Sequence, residues 1–126
     1  MTVTFIAIAP DRYAGQSVGD GQCVAFVRAA ADAPHTSTWQ RGDHVRRTFG
    51  IPKGTAIATF DADGRYGNHP DGRSHAAILI ARQDDGLLVW DQWRLHPVQQ
   101  RVIRFRGGAG DAVNDGDSFH VIEAEP

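Results

Sequence analysis

From Thr55 to Glu123 the chain is cut by turn residues into five short β-type runs: Thr55–Phe60, Ala76–Ala81, Leu87–Trp93, Arg101–Phe105 and Phe119–Glu123. Runs of that length, bounded by Gly, Asp, Asn and Pro, are the signature of an antiparallel sheet. Two of the spacers, Asp61–Ser74 and Gly107–Asp117, read as long loops. The opening Met1–Pro10 segment alternates as a strand does, and Pro10–Asp20 is a glycine-rich loop leading into a stretch with helical spacing. Helices first and then a meander of strands predicts an α+β domain, its N-terminal helices packed on one face of an antiparallel sheet. A chain of 126 residues is long enough for one core and too short for two, so residues 1–126 are expected to form a single domain.

The helical stretch holds the one cysteine. In Asp20-Gly-Gln-Cys-Val-Ala-Phe-Val-Arg-Ala-Ala-Ala31, residues Val24, Val27 and Ala31, joined by Phe26 and Ala30, recur at helical spacing. Asp20 is placed to cap the N-terminus, helical geometry then beginning near Gly21 or Gln22, which sets Cys23 in the first turn. There the unpaired N–H groups and the partial positive charge of the helix end favour thiolate over thiol. That suits a nucleophile; the same position beside Val24 and Phe26 also suits a small buried hydrophobe. Ala33, Pro34 and His35 end the helix, and His35–Pro52 reads as a short helix on an irregular excursion.

Composition narrows function by exclusion. A formal net charge of −2 gives no electrostatic reason to expect nucleic acid or an anionic membrane surface as partner. The lone cysteine excludes an internal disulfide framework and a cysteine-based zinc site. No apolar run approaches the roughly 20 residues of a membrane span. The N-terminus lacks the basic leader of a signal peptide, so work outside the cytoplasm would need another carrier.

A nucleophilic cysteine needs a base within reach, and the base needs a third group to fix its tautomer. His75 opens one β run and Asp91 lies in the next. With one-to-one pairing, a turn centred on Gln83 sets them directly opposite, about 5 Å apart at Cβ. A turn centred on Asp85 separates them by four residues, roughly 13 Å; a bulge at Gly86 would restore the first register. Standing alone, His75 reads as a core histidine at a strand end and Asp91 as a surface carboxylate.

Tyr13-Ala-Gly15, then Gly21-Gln22-Cys23-Val24-Ala25-Phe26-Val27, His75-Ala-Ala-Ile-Leu-Ile and Val89-Trp90-Asp91-Gln92-Trp93 together resemble the CHAP and NlpC-type branch of the papain-like cysteine peptidases. The resemblance spans Tyr13 to Trp93, with Arg101–Glu123 as closing strands. It implies cleavage of amide bonds in bacterial peptidoglycan peptides, through a thioester on the cysteine and without cofactor or metal. By position, Cys23 resembles the nucleophile, His75 the general base and later acid, and Asp91 the residue orienting the imidazole. The Cys23 backbone N–H would donate to the oxyanion, with Tyr13 or Gln22 as second donor; Trp93 would line the cleft. The Asp61–Ser74 loop aligns with nothing in that family, and no wall-binding repeat is present.

The expected partners follow: a peptidoglycan peptide as substrate and, as a further candidate, an inhibitory immunity protein, with neither nucleic acid nor membrane insertion, around a monomer. Without a signal peptide or wall-binding module, the chain reads as a compact antibacterial effector carried to a periplasm by a specialised secretion machine. Two other classes fit the same residues. One is a non-enzymatic binding module on the same fold. The other is a thioester-forming acyltransferase, whose histidine precedes its cysteine, the reverse of the order here. Asp61-Ala-Asp63-Gly64 lacks the later ligands of a calcium loop, His69 and His75 with Asp71 read as turn chemistry rather than a metal site, and no phosphate-loop or dinucleotide fingerprint is complete. Trp39 and Trp90 read as core or groove wall, and His120 as a surface-facing strand residue.

Overall fold

The computed structural model describes all 126 residues. The strands are β1 (Val3–Thr4), β2 (Gln40–His44), β3 (Ala56–Thr59), β4 (Ala76–Arg82), β5 (Gly86–Trp93), β6 (His96–Arg104) and β7 (Phe119–Ala124), and the one α-helix is α1 (Cys23–Ala31). All pairings are antiparallel, in the order β1-β7-β3-β4-β5-β6, with β2 also on β7. The expected group of N-terminal helices is therefore a single α-helix plus short 3-10 turns against a sheet that dominates the molecule.

The five β runs of the sequence appear as β3 to β7, with β6 beginning earlier, at His96. The Met1–Pro10 strand shrinks to two residues and an isolated bridge from Ile6 to Thr55. The short helix expected in His35–Pro52 is one 3-10 turn, Thr36–Thr38, and the following β2 was not foreseen. Its residues, Gln-Arg-Gly-Asp-His, are exposed or half-buried, so no apolar alternation marks them; β7 supplies the pairing.

Two apolar clusters sandwich the sheet. On one face α1 sets Phe26, Val27 and Ala31 against Ala56, Ala58, Ala76, Ile78 and Ile122, with Trp39 fully buried among them. Burying each large side chain contributes about 2–3 kcal/mol. On the other face Ile57, Ala77, Leu79, Leu87, Val89, Ile103, Phe119 and Val121 pack with Val45. Alternation along each strand distributes its side chains between the two clusters.

α1 ends at Asp32, which takes the left-handed conformation (φ 53°), and Pro34 cannot continue a helix. Its start differs from the expectation. Gly21, at φ +85°, turns the chain so that the Asp20 carboxylate accepts from the N–H of Gln22 at 2.9 Å, short of the helix itself. Gln22 is the N-cap and has no side-chain cap bond, and Cys23 is the first helical residue. No helix is long and apolar enough to cross a membrane.

Candidate active site

Cys23 stands at the N-terminus of α1, half-buried, and lines a cleft of about 800 Å³. The loop before it is held by one side chain of β5. Gln92, fully buried, accepts from the Val18 N–H at 2.9 Å and donates to the carbonyls of Val18 and Gln22, each at 2.8 Å. The nucleophile candidate is thus tied to the sheet by three hydrogen bonds.

His75 and Asp91 meet across β4 and β5, by neither register drawn from the sequence. The strands pair Arg82 with Leu87 and Ala81 with Leu88, then Leu79 with Val89 and Ile78 with Trp90, leaving Ile80 as the extra residue of a bulge. The turn is centred between Asp84 and Asp85, and the bulge is at Ile80 rather than Gly86. Continued to the strand ends, this register sets His75 opposite Trp93, whose ring centroid is 6.3 Å from the imidazole. Asp91 lies diagonally, two residues along on the same face, within reach of a long side chain. His75 Nε2 donates to Asp91 Oδ2 at 2.8 Å, and both residues are buried. Thr59 fixes the backbone there: its Oγ1 accepts from the His75 N–H at 3.0 Å.

A carboxylate only accepts, so the bond to Asp91 puts the proton on Nε2 and leaves Nδ1 for the thiol. Burial alone would raise the Cys23 pKa. The hydrogen bond and charge of His75 outweigh it, with help from the Ala76 N–H and the Tyr66 hydroxyl, so the thiol lies below its ordinary value. Burial opposes the imidazolium too, yet the hydrogen bonds to Asp91 and Cys23 raise His75 to about 9. Both shifts favour the charged forms, thiolate on Cys23 and imidazolium on His75.

The other expected residues divide. Gln22 and Trp93 line the cleft. Tyr13 does not: its ring packs edge-on against Phe26 at 5.8 Å, on the helix's buried side, and Tyr66 stands next to the thiol instead, its hydroxyl 3.7 Å from Sγ. Trp39 lies in the core. His69 pairs with Asp61 at 2.8 Å, and His120 packs edge-on with His44 at 4.9 Å rather than facing outward alone. No group of three or more His, Cys, Asp or Glu side chains converges as a metal site would require.

Three neighbours of the site were missed. Arg101 on β6 pairs with Val89, two residues from Asp91, and its Nε donates to Asp91 Oδ2 at 2.7 Å while its guanidinium covers Trp93. Gln92 carried a signal, an amide inside an apolar strand. Tyr66 carried none, because it lies in the loop that matches no motif.

Residues 1–122 match the family model described as "Domesticated amidase effector 2". The chain belongs to that family. This amidase effector domain is 42% identical to "Domesticated amidase effector 2" of Ixodes scapularis over 107 residues, covering 81% of this chain and 70% of the relative. It is 40% identical over 114 residues to "Type VI secretion amidase effector 2 protein" of Salmonella typhi, covering 81% and 84%. A solved structure, "Type 6 secretion amidase effector 2 (Tae2)", superposes with a TM-score of 0.81 at 29% identity over 97% of this chain and 96% of that one.

Proposed function

We propose that this member of the amidase effector 2 family is a cysteine amidase of papain-like, CHAP or NlpC-type chemistry that hydrolyses amide bonds in peptidoglycan peptides. The observation that carries the reading is the buried hydrogen bond between His75 and Asp91, with His75 and Cys23 lining one cleft and the imidazole lowering the thiol's pKa. The Cys23 thiolate attacks the scissile carbonyl carbon, and the carbonyl π pair moves to oxygen. Collapse forms the thioester and expels the amine, which takes the proton of the His75 imidazolium. His75 then removes a proton from water as it attacks the thioester, and returns it to the departing sulfur. Asp91 holds the ring in the tautomer that makes both transfers possible. No step calls for a cofactor or a metal.

The relatives named for type VI secretion support delivery of this domain by such a machine; the reading is completed by antibacterial action in the periplasm of a target cell and an immunity protein in the producing one. Digestion of purified peptidoglycan tests the chemistry. Wild type is expected to release new peptide fragments and Cys23→Ala none, with fragment masses naming the bond cut. Fragments from both proteins, or from neither while a thiol probe labels Cys23, would remove this substrate assignment.

A further inference from the structure

We infer that Tyr66 is a catalytic residue, its hydroxyl serving as the hydrogen-bond donor that first holds the Cys23 thiolate and then the oxyanion formed when the thiolate attacks. The inference rests on the amidase reading of the same cleft.

Tyr66 is 7% exposed, and the only hydrogen-bond partner of its hydroxyl is Cys23 Sγ, at 3.7 Å. Burial and the adjacent thiolate both push the phenol well above the ordinary tyrosine range, so the proton stays on oxygen and sulfur accepts. The oxygen of an attacked carbonyl is bonded to the carbon that bonds Sγ. A donor already aimed at Sγ therefore reaches that oxygen by a small rotation of its O–H. During attack the phenol donates a hydrogen bond without giving up its proton; the new charge on oxygen is stabilised, and the only proton transferred is that of His75 to the leaving amine. With the free N–H groups at the start of α1, the hydroxyl completes a pair of donors.

The surrounding structure fixes this geometry in advance. The ring packs on Trp39, centroids 5.0 Å apart, and edge-on to Phe60 at 6.5 Å. Arg65, just before it, bridges to Gln40, and its carbonyl accepts from Asp61 N–H at 2.9 Å. Just after it, the Asp61–His69 pair closes over Gly67 so tightly that a Cβ there would strike Asp61 Oδ2 and His69 Nε2. Both flanks of Tyr66 are pinned, which is what a preorganised donor needs.

The test is Tyr66→Phe, which keeps the ring and removes the hydroxyl; thermal melting verifies that the fold is retained. With a soluble wall peptide, kcat is expected to fall about 100-fold with KM within twofold. The pH midpoint of Cys23 alkylation by iodoacetamide is expected to move up. A kcat within threefold of wild type overturns the proposal, as does a loss carried by KM with the alkylation midpoint unmoved. If wild type leaves the wall peptide intact, the amidase reading fails separately, and the alkylation arm still decides: an unmoved midpoint shows that the hydroxyl does not serve the thiolate.

Discussion

Asp91 Oδ2 accepts from two donors, His75 Nε2 and Arg101 Nε, so the charge that orients the imidazole is shared with a cation on β6. The pH dependence of the site follows from the pairing of His75 with Asp91 and Cys23. His75 has its pKa raised, so the ion pair is complete below that value and is lost as pH rises through about 9. Cys23 is lowered, so the thiolate persists below the range of a free thiol and is lost toward acid. Activity is expected to plateau between those limits and decline near pH 9. Replacing Arg101 by Met removes a positive charge, which disfavours the thiolate and favours the imidazolium. Both limbs of the kcat/KM profile should move to higher pH, with activity near neutrality down about 10-fold. Arg101→Lys, which restores the charge, should move them less. A pH–rate profile of the three proteins decides this; an unshifted profile for Arg101→Met would show that Arg101 merely packs on Trp93.

At the scale of elements, β5 does two jobs with adjacent residues. Asp91 turns to His75 on one face, and Gln92 turns to the Cys23 loop on the other. Gln92→Leu fills the same space but leaves the Val18 N–H and the carbonyls of Val18 and Gln22 without their partner. The expected cost is about 3 kcal/mol by urea unfolding, with faster amide exchange in the loop before α1. A change below about 1 kcal/mol would mean that the loop finds other partners. These elements were legible to different degrees. α1 and β3 to β5 could be read because apolar residues recur at a helix or strand period. β2 could not, because its pairing is paid for by β7 and its own side chains are exposed or half-buried. Cys23, His75 and Asp91 were legible as residue types in order, whereas Tyr66 and Arg101 reach the site only through a loop and a strand register that no local pattern encodes.

Across the whole molecule, the site forms where the two apolar layers meet. Cys23 arrives with α1 on one face of the sheet, while Ala76 and Ala77, next to His75, point into opposite layers. The layer a strand residue joins is a matter of parity, and a slip of one position exchanges the layers. The four residues between the paired Arg82 and Leu87 give the wrong parity to bring His75 and Asp91 to one face, and the bulge at Ile80 corrects it. Ile80 is therefore a spare letter in β4, and its loss does not shift the reading frame: Leu79 can join Ala81 with every pair on either side kept. Deleting Ile78, two positions away, would instead, with the bulge kept at Ile80, bring Ala77 opposite Trp90 and turn His75 from the Asp91 side. The Ile80 deletion is expected to retain fragment release within about tenfold, and the Ile78 deletion to abolish it. Equal loss in both would show that the bulge shapes the site beyond counting residues. A strand that can shed one residue and keep its pairs, but not its neighbour two places on, carries the frame of the candidate site in the place of its bulge.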